Sequence, residues 1–187
     1  MTCFQTCFLL TVTEKYMSVC KFAGAIFVCL SCFMYGCNKA IKYKKRTAVL
    51  RALYKLLIVF ENNIVYYNKT LEEIASDINF DNEMINDFLN RVFLMGDYKN
   101  DITKRWNDTL LKYKKIDYLK KEDILFIQKI GQTLSDSDCT NISKLFEGMK
   151  NELVLLTDDS VTEEMEKGKL CKVLGVLFGI FISILFL

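Results

Sequence analysis

The sequence is 187 residues long, has a formal net charge of +2 and contains neither histidine nor proline. Histidine is the commonest metal ligand and the usual general base near neutral pH, so its absence excludes Ser-His, Cys-His and zinc–histidine sites. The small net charge argues against a protein that binds nucleic acid through its bulk charge, and the absence of proline leaves long helices uninterrupted.

Residues 1–16 are expected to be a non-native or disordered extension. They combine Cys3, Cys7 and other apolar residues with a polar stretch at 13–15, and Met17 follows directly as a natural start for the first apolar segment. The start codon is therefore left open between Met1 and Met17.

Two apolar segments bracket a polar middle, because residues 22–37 and 173–187 carry no charge. A membrane span needs about 20 residues, or fewer where flanking lysines reach the interface. The sequence therefore predicts transmembrane helices over 17–37 and 170–187. A cleaved signal peptide is disfavoured, since the basic residues follow the first segment and a small-residue cleavage site is missing.

Basic residues predict the orientation of these spans. A run without acidic residues follows the first segment: Lys39, Lys42, Lys44, Lys45, Arg46, Arg51 and Lys55. Three lysines precede the second segment: Lys167, Lys169 and Lys172. Since basic residues favour the cytoplasmic side, residues 38–169 are predicted to be a cytoplasmic domain, with both termini outside.

The polar middle is predicted to be all-α, an antiparallel bundle of about six helices. Apolar residues recur there at helical spacing in three stripes: Leu50, Leu53, Leu57, Phe60, Ile64 and Tyr67; Ile85, Leu89, Val92 and Phe93; Ile142, Leu145, Met149, Leu153 and Leu156. The predicted helices cover 39–68, 70–78, 82–95, 101–114, 119–134 and 138–169, and the first and last continue into the membrane segments. Trp106, the only tryptophan, is expected in the core of this bundle.

Small residues and cysteines in the apolar segments are interpreted as packing residues. Gly175 and Gly179 have the spacing that lets membrane helices approach closely, and we expect them to pack against the region of Gly24. Cys29 and Cys32 have the spacing of a redox or zinc pair, but inside an apolar run cysteine acts as a small hydrophobic residue. No metal or cofactor is therefore expected.

Four short motifs follow one another in a fixed order between the two spans. They are the start of the first span at Met17, Trp106 with Leu110, the segment 118–134 that ends in Gly-Gln-Thr-Leu, and Lys172 to Gly175. Their order and spacing over residues 17–187 resemble the stage III sporulation protein AB family of endospore-forming Firmicutes. The chain departs from that pattern where the family's Thr-Pro-Leu is Lys69-Thr70-Leu71, where an expected acidic residue is Asn63, and where a final glycine is Ser135.

The resemblance implies a fold similar to the cytoplasmic domain of the type II secretion inner-membrane F protein. It also implies a place in the mother-cell membrane facing the forespore, within the complex that forms the channel between the two cells. The implied partners are a cytoplasmic secretion-type ATPase, the other membrane proteins of that complex and the lipid bilayer, with no nucleic acid. The oligomeric state is left open.

Candidate contact residues lie in the basic stem that follows the first span and in the loop after the fifth predicted helix. The candidates for contact with a partner or with lipid are Lys42, Lys44, Lys45, Arg46, Gly131, Thr133, Asp136 and Asp138. An acidic cluster at 158–166 on the last helix is interpreted as a solvated face, with pairing to the basic stem as the alternative.

No pair of acidic residues converges for acid–base chemistry, so an enzyme is not expected. The alternative hypothesis is a two-pass membrane adaptor or lipid-interacting signalling protein without a secretion ATPase partner.

Overall fold

The structure, a computed structural model, describes residues 2–67, 69–77, 82–94, 102–113, 118–135 and 142–186. It contains helices α1 (Thr2–Val65), α2 (Leu71–Asp77), α3 (Glu83–Leu89), α4 (Ile102–Tyr113), α5 (Lys121–Ser135) and α6 (Ile142–Phe186). A π-helical turn, Asn90–Leu94, continues α3. The described residues contain no strand, which confirms the predicted all-α fold.

The first and last helices are much longer than the others, as the uninterrupted sequence predicted. The described backbone is already helical at Thr2, so residues 2–16, which we expected to be an extension, are part of α1. Each long helix contains an apolar stretch sufficient to cross a membrane, judged by length and composition. The stretch lies within Gly24–Val65 of α1 and within Ile142–Leu185 of α6.

The short helices begin at residues that satisfy free backbone N–H groups. Thr70 and Glu73 form a reciprocal capping box at α2: the N–H of Thr70 donates to Glu73 Oε2 at 3.0 Å, and the N–H of Glu73 donates to Thr70 Oγ1 at 3.3 Å. The side chain of Asn82 accepts hydrogen bonds from the N–H groups of Met84 and Ile85 at the start of α3. The second helix therefore begins at the expected place without the proline of the family pattern.

The chain divides into two compact units. One, the helical bundle, comprises residues 42–164. The other, the paired helix ends, comprises residues 1–41 and 165–187. The prediction of a separate cytoplasmic domain over 38–169 stays a prediction.

Within the bundle, α1 and α6 run antiparallel. Arg46 near the start of this part of α1 contacts Glu163 of α6, whereas Glu61 near the end of α1 pairs with Lys150, earlier in α6, at 2.7 Å. As the residue number rises along one helix it therefore falls along the other, in agreement with the predicted topology.

Aromatic rings occupy the middle of the bundle core. Trp106 of α4 is fully buried, makes edge-to-face contacts with Phe88 and Phe93 at ring-centroid distances of 4.8 and 6.3 Å, and donates from Nε1 to the carbonyl of Ile127 at 2.8 Å. The hydrogen bond satisfies the only polar atom of the indole. The prediction that Trp106 is a core residue is confirmed.

The predicted apolar stripes are confirmed in their middle and wrong at two positions. The buried members are Leu50, Leu53, Leu57, Phe60, Ile85, Leu89, Val92, Phe93, Met149 and Leu153, and Ile64, Ile142 and Leu156 pack partly buried against them. Tyr67 is 71% exposed, because α1 ends at Val65 and the chain turns there. Leu145 is 48% exposed, and its neighbour Phe146 takes the buried position.

Candidate functional site

Polar side chains are buried in the bundle where α1, α5 and α6 meet. We call this group the buried polar layer; its members are Arg46, Thr47, Asp123, Ser160 and Glu163. Charged side chains are rarely buried unless they are paired, because removing an ion from water is costly. The layer therefore has to be understood through its internal contacts.

Arg46 is the centre of the layer and is 2% exposed. Its Nε and Nη2 donate to the two carboxylate oxygens of Asp123 at 2.8 and 2.9 Å, and its Nη1 donates to Glu163 Oε2 at 2.9 Å. A longer hydrogen bond of 3.4 Å joins Nη1 to Asp159 Oδ2. The planar guanidinium matches a carboxylate through two parallel hydrogen bonds, a geometry that lysine cannot provide. One side chain of α1 thus joins α5 and α6.

Asp123 has a second role at the start of α5. The helix begins at Lys121, and the backbone N–H of Lys120 donates to Asp123 Oδ2 at 2.8 Å. This is the half of a capping box in which an acidic residue reaches back to the residue that precedes the helix. The carboxylate is therefore fixed both by the backbone of its own helix and by the guanidinium of α1.

Lys120 and Asp159 form the solvent-facing edge of the layer. The Lys120 ammonium lies 3.2 Å from Asp159 Oδ2 and 3.0 Å from Glu163 Oε2, and the side chains of Lys120 and Asp159 are 40% and 54% exposed. Exposed ion pairs of this kind contribute about 0–1 kcal/mol each. The pairing of Arg46 with the buried Asp123 and Glu163 carries more of the energy.

The pKa values of the two cations follow from these contacts. Burial by itself lowers the pKa of Arg46, but the hydrogen bond and charge of Asp123, together with those of Asp159 and Glu163, outweigh it and raise the pKa. Burial likewise lowers the pKa of Lys120, and its hydrogen bonds to Glu163 and Asp159 raise it above the ordinary value. Both groups are therefore charged throughout the physiological pH range.

A hydroxyl pair lies next to Arg46 and joins the same two long helices. The oxygens Oγ1 of Thr47 and Oγ of Ser160 are 2.9 Å apart, and both residues are 1% exposed. Oγ1 of Thr47 also lies 3.2 Å from the carbonyl oxygen of Tyr43. Each hydroxyl thus has a polar neighbour, as buried hydroxyl groups require.

The comparisons with known proteins agree with the resemblance seen in the sequence. The model of the stage III sporulation protein AB family matches residues 21–187, which includes the buried polar layer and most of both long helices. The chain belongs to the stage III sporulation protein AB family. No curated protein and no solved structure matches it.

For this family member, the basic residues of the stem differ in how exposed they are. Lys44 and Lys45 are exposed and Lys42 is half-buried, so these three remain candidates for contact with a partner or lipid. Arg46 does not, because its guanidinium is enclosed and bonded to three carboxylates. The alternative interpretation of the acidic cluster, pairing with the stem, is the one observed for Asp159 and Glu163, both of which contact Arg46.

The contact candidates in and before the loop after α5 also differ in burial. Gly131 is buried within α5, and a Cβ added to it would overlap the indole ring of Trp106, so it is a core residue instead of a contact residue. Thr133 is half-buried and its hydroxyl donates to the carbonyl of Lys129 at 3.1 Å. Asp136 and Asp138 lie outside the described residues.

Close packing in the paired helix ends involves a different first-span glycine from the one expected. A Cβ on Gly175 would lie 2.8 Å from the carbonyl oxygen of Cys32, and one on Gly179 would lie 3.0 Å from the Cα of Cys29. Gly36 is equally tight, since its Cβ would lie 2.5 Å from the carbonyl oxygen of Cys171.

Gly24 has nothing within 4 Å of the corresponding position. The contact of Gly175 and Gly179 is therefore with residues 29–36, which begin about one and a half helical turns beyond Gly24 along α1. The region of Gly24 is contacted one turn further along α6, where Ser183 Oγ donates to the carbonyl of Ala25 at 3.0 Å.

One feature of the sequence points to the buried polar layer, whereas its acidic members carry no signal of their own. Only four of the 25 basic residues are arginine, and two of them, Arg46 and Arg51, lie in the lysine-rich stem as residues suited to a bidentate pair. Asp123 was missed because an acidic residue in the first turn of a helix is normally explained by capping and dipole effects alone. A pairing across 77 residues needs the tertiary structure.

Proposed function

We propose that this chain is a non-enzymatic membrane component of the channel complex between mother cell and forespore, and that its helical bundle is a platform for a cytoplasmic secretion-type ATPase. The observation that carries the proposal is the family match over residues 21–187. The chain is by that match a stage III sporulation protein, and its two long helices are candidates to span the mother-cell membrane.

A platform has to keep its shape when a partner binds, and the buried polar layer supports such a role by holding three helices together. Arg46 of α1 joins α5 and α6 through charged hydrogen bonds, and breaking a buried pair of this kind is costly. The acidic groups of the layer are held in ion pairs, which supports a structural instead of a catalytic use of these carboxylates. No group of His, Cys, Asp and Glu suited to a metal ion occurs among the described residues.

The test is direct binding between the full-length chain in nanodiscs of zwitterionic lipid and the purified secretion-type ATPase that functions with it. We expect saturable binding that weakens about tenfold or more in the Lys44→Glu/Lys45→Glu variant, because reversing charges at an interface juxtaposes like charges. A matched control is Lys104→Glu/Lys144→Glu, two exposed lysines in the first turns of α4 and α6. The control variant is expected to bind as the wild type does.

Two results would count against the platform. Absence of any binding by the wild-type chain, with its bundle shown to be folded by the fluorescence of Trp106, overturns the ATPase proposal. Binding of the chain to anionic vesicles in the same experiment, with none to the ATPase, supports the lipid-interacting adaptor instead. Zwitterionic nanodiscs separate the two, since the ATPase binding is then measured without a charged lipid surface.

A further inference from the structure

A groove of about 290 Å³ lies on the bundle between α1 and α6. Arg51, Tyr54 and Lys55 of α1 line one side of it. Val154, Thr157 and Asp158 of α6 line the other. Its exposed lining is mostly apolar, whereas the charged ends of three side chains surround it. The volume is at the lower limit of small-molecule pockets and suits an inserted side chain better than a whole cofactor.

The two cations at this groove have no counter-ion among the described residues, unlike six other cations of the bundle. Arg46, Lys69, Arg91, Lys120, Lys129 and Lys150 all form ion pairs. Arg51 and Lys55 are exposed and form none with the described part of the chain. An exposed groove with two unpaired cations on one rim presents positive charge to whatever binds there.

The same positive charge continues along one face of α1. Lys44, Ala48, Arg51 and Lys55 are spaced by three or four residues, which places them on one face of the helix, and all four are exposed. The methyl group of Ala48 leaves space between the longer side chains. This face therefore offers a strip of cations about 16 Å long, at 1.5 Å per residue over eleven residues.

Apolar surface adjoins the strip on the side of α6. Val154, which lines the groove, is 41% exposed. Tyr54, half-buried, supplies an aromatic side wall. Tyrosine and arginine are the residue types that dominate binding energy at protein interfaces. An apolar groove beside a cationic strip matches the surface that an amphipathic helix with acidic flanks would present.

We propose that this groove is the docking site for an acidic amphipathic helix of the secretion-type ATPase, which inserts one apolar side chain between Tyr54 and Val154. The inference rests on the function proposed above and names the surface that carries it. Carboxylates of the bound helix pair with Arg51 and Lys55. Asp158, on the opposite rim, repels carboxylates and so sets which side of the bound helix faces α1.

The experiment uses the full-length chain in zwitterionic nanodiscs and the purified ATPase as the probe. Arg51→Glu/Lys55→Glu reverses the charge of the rim, and Val154→Trp fills the groove without changing any charge. We expect each to weaken binding at least tenfold and the charge reversal also to flatten the dependence of affinity on salt. Lys104→Glu/Lys144→Glu is the matched control and keeps wild-type affinity.

A photo-reactive benzoylphenylalanine at position 154 then identifies what lies in the groove. We expect cross-linking to an acidic segment of the ATPase, and loss of that cross-link on adding Arg51→Glu/Lys55→Glu. A cross-link to a basic segment, or to a second copy of this chain, overturns the assignment.

The binding measurements distinguish an error in the groove proposal from an error in the platform proposal. If the wild-type chain binds the ATPase and the rim and groove variants bind equally well, the groove proposal is overturned and the platform stands. If the wild-type chain does not bind the ATPase, both the groove proposal and the platform proposal are overturned. All substituted positions are exposed, and the fluorescence of the buried Trp106 checks that each variant is folded.

Discussion

Removing the guanidinium of Arg46 should destabilise the bundle far more than removing any exposed cation. In Arg46→Met, the carboxylates of Asp123 and Glu163 stay buried but lose the donors at 2.8–2.9 Å that compensate their charge. Breaking a buried ion pair by deleting one partner costs about 3–5 kcal/mol, because the other charge remains desolvated. The loss of the pair with the half-exposed Asp159 adds little to this cost, since water can take the place of the guanidinium there.

The expected loss converts into a thermal shift that is easily measured. For a chain of this length, 1 kcal/mol corresponds to about 2–4 °C, so Arg46→Met should lower the Tm of the bundle by about 6–20 °C. Arg46→Lys should fall between the wild type and Arg46→Met, because it keeps the charge but loses the bidentate geometry. Arg51→Met on the same helix is the control, with a shift of about 2 °C or less, because Arg51 is exposed and forms no ion pair with the described residues.

Fluorescence of the full-length chain in detergent micelles is the assay. Trp106 is the only tryptophan and is fully buried, so its emission reports unfolding of the bundle. A triple variant, Arg46→Met with Asp123→Asn and Glu163→Gln, tests the cause. It removes the uncompensated charges while the amide oxygen at 123 still accepts the N–H of Lys120.

We expect the triple variant to recover at least half of the lost Tm. A Tm of Arg46→Met within 2 °C of the wild type, or no recovery in the triple variant, would refute the argument from buried charge.

Three further substitutions test tight packing and capping. Gly36→Ala should push the two helix ends apart, because the new Cβ would meet backbone atoms. The distance between spin labels on the two spans should therefore increase. Gly24→Ala is the control and should leave that distance unchanged. Gly131→Ala should shift the emission of Trp106 and cost about 1–3 kcal/mol of bundle stability, since the added methyl group overlaps the indole. Thr70→Ala should cost about 0.5–2 kcal/mol through loss of the capping box, measured by thermal unfolding, and Thr70→Ser should restore most of it.

The overall fold was predictable because its signals are local. Stripes at helical spacing and two uncharged runs specify helices without any knowledge of their neighbours. The errors occur where a helix end decides the outcome. Tyr67 continues the apolar stripe in the sequence, but α1 ends two residues earlier and exposes it.

The candidate site was harder to predict, because its contacts join positions far apart in the chain. Arg46 is adjacent to Lys44 and Lys45 in a stretch whose composition explains membrane orientation equally well, so the sequence alone places all three on the surface. What separates Arg46 is its position on the core-facing side of α1, beside the buried Thr47 and one turn before Leu50. Gly131 is a similar case, since its contact with Trp106 depends on how α4 and α5 pack.

Ion pairs at two points along α1 and α6 favour one register in a bundle rich in interchangeable apolar residues. Arg46 pairs with Glu163 and Glu61 with Lys150, so the contacts are separated by about 22 Å along α1 at 1.5 Å per residue. Sliding one helix by a single turn would move each partner by about 5.4 Å and break both pairs, whereas leucine and isoleucine would find new neighbours at small cost. Because Asp123 and Glu163 are buried, the shifted arrangement would leave charges without partners in the core, so the polar layer selects the register that apolar packing alone does not.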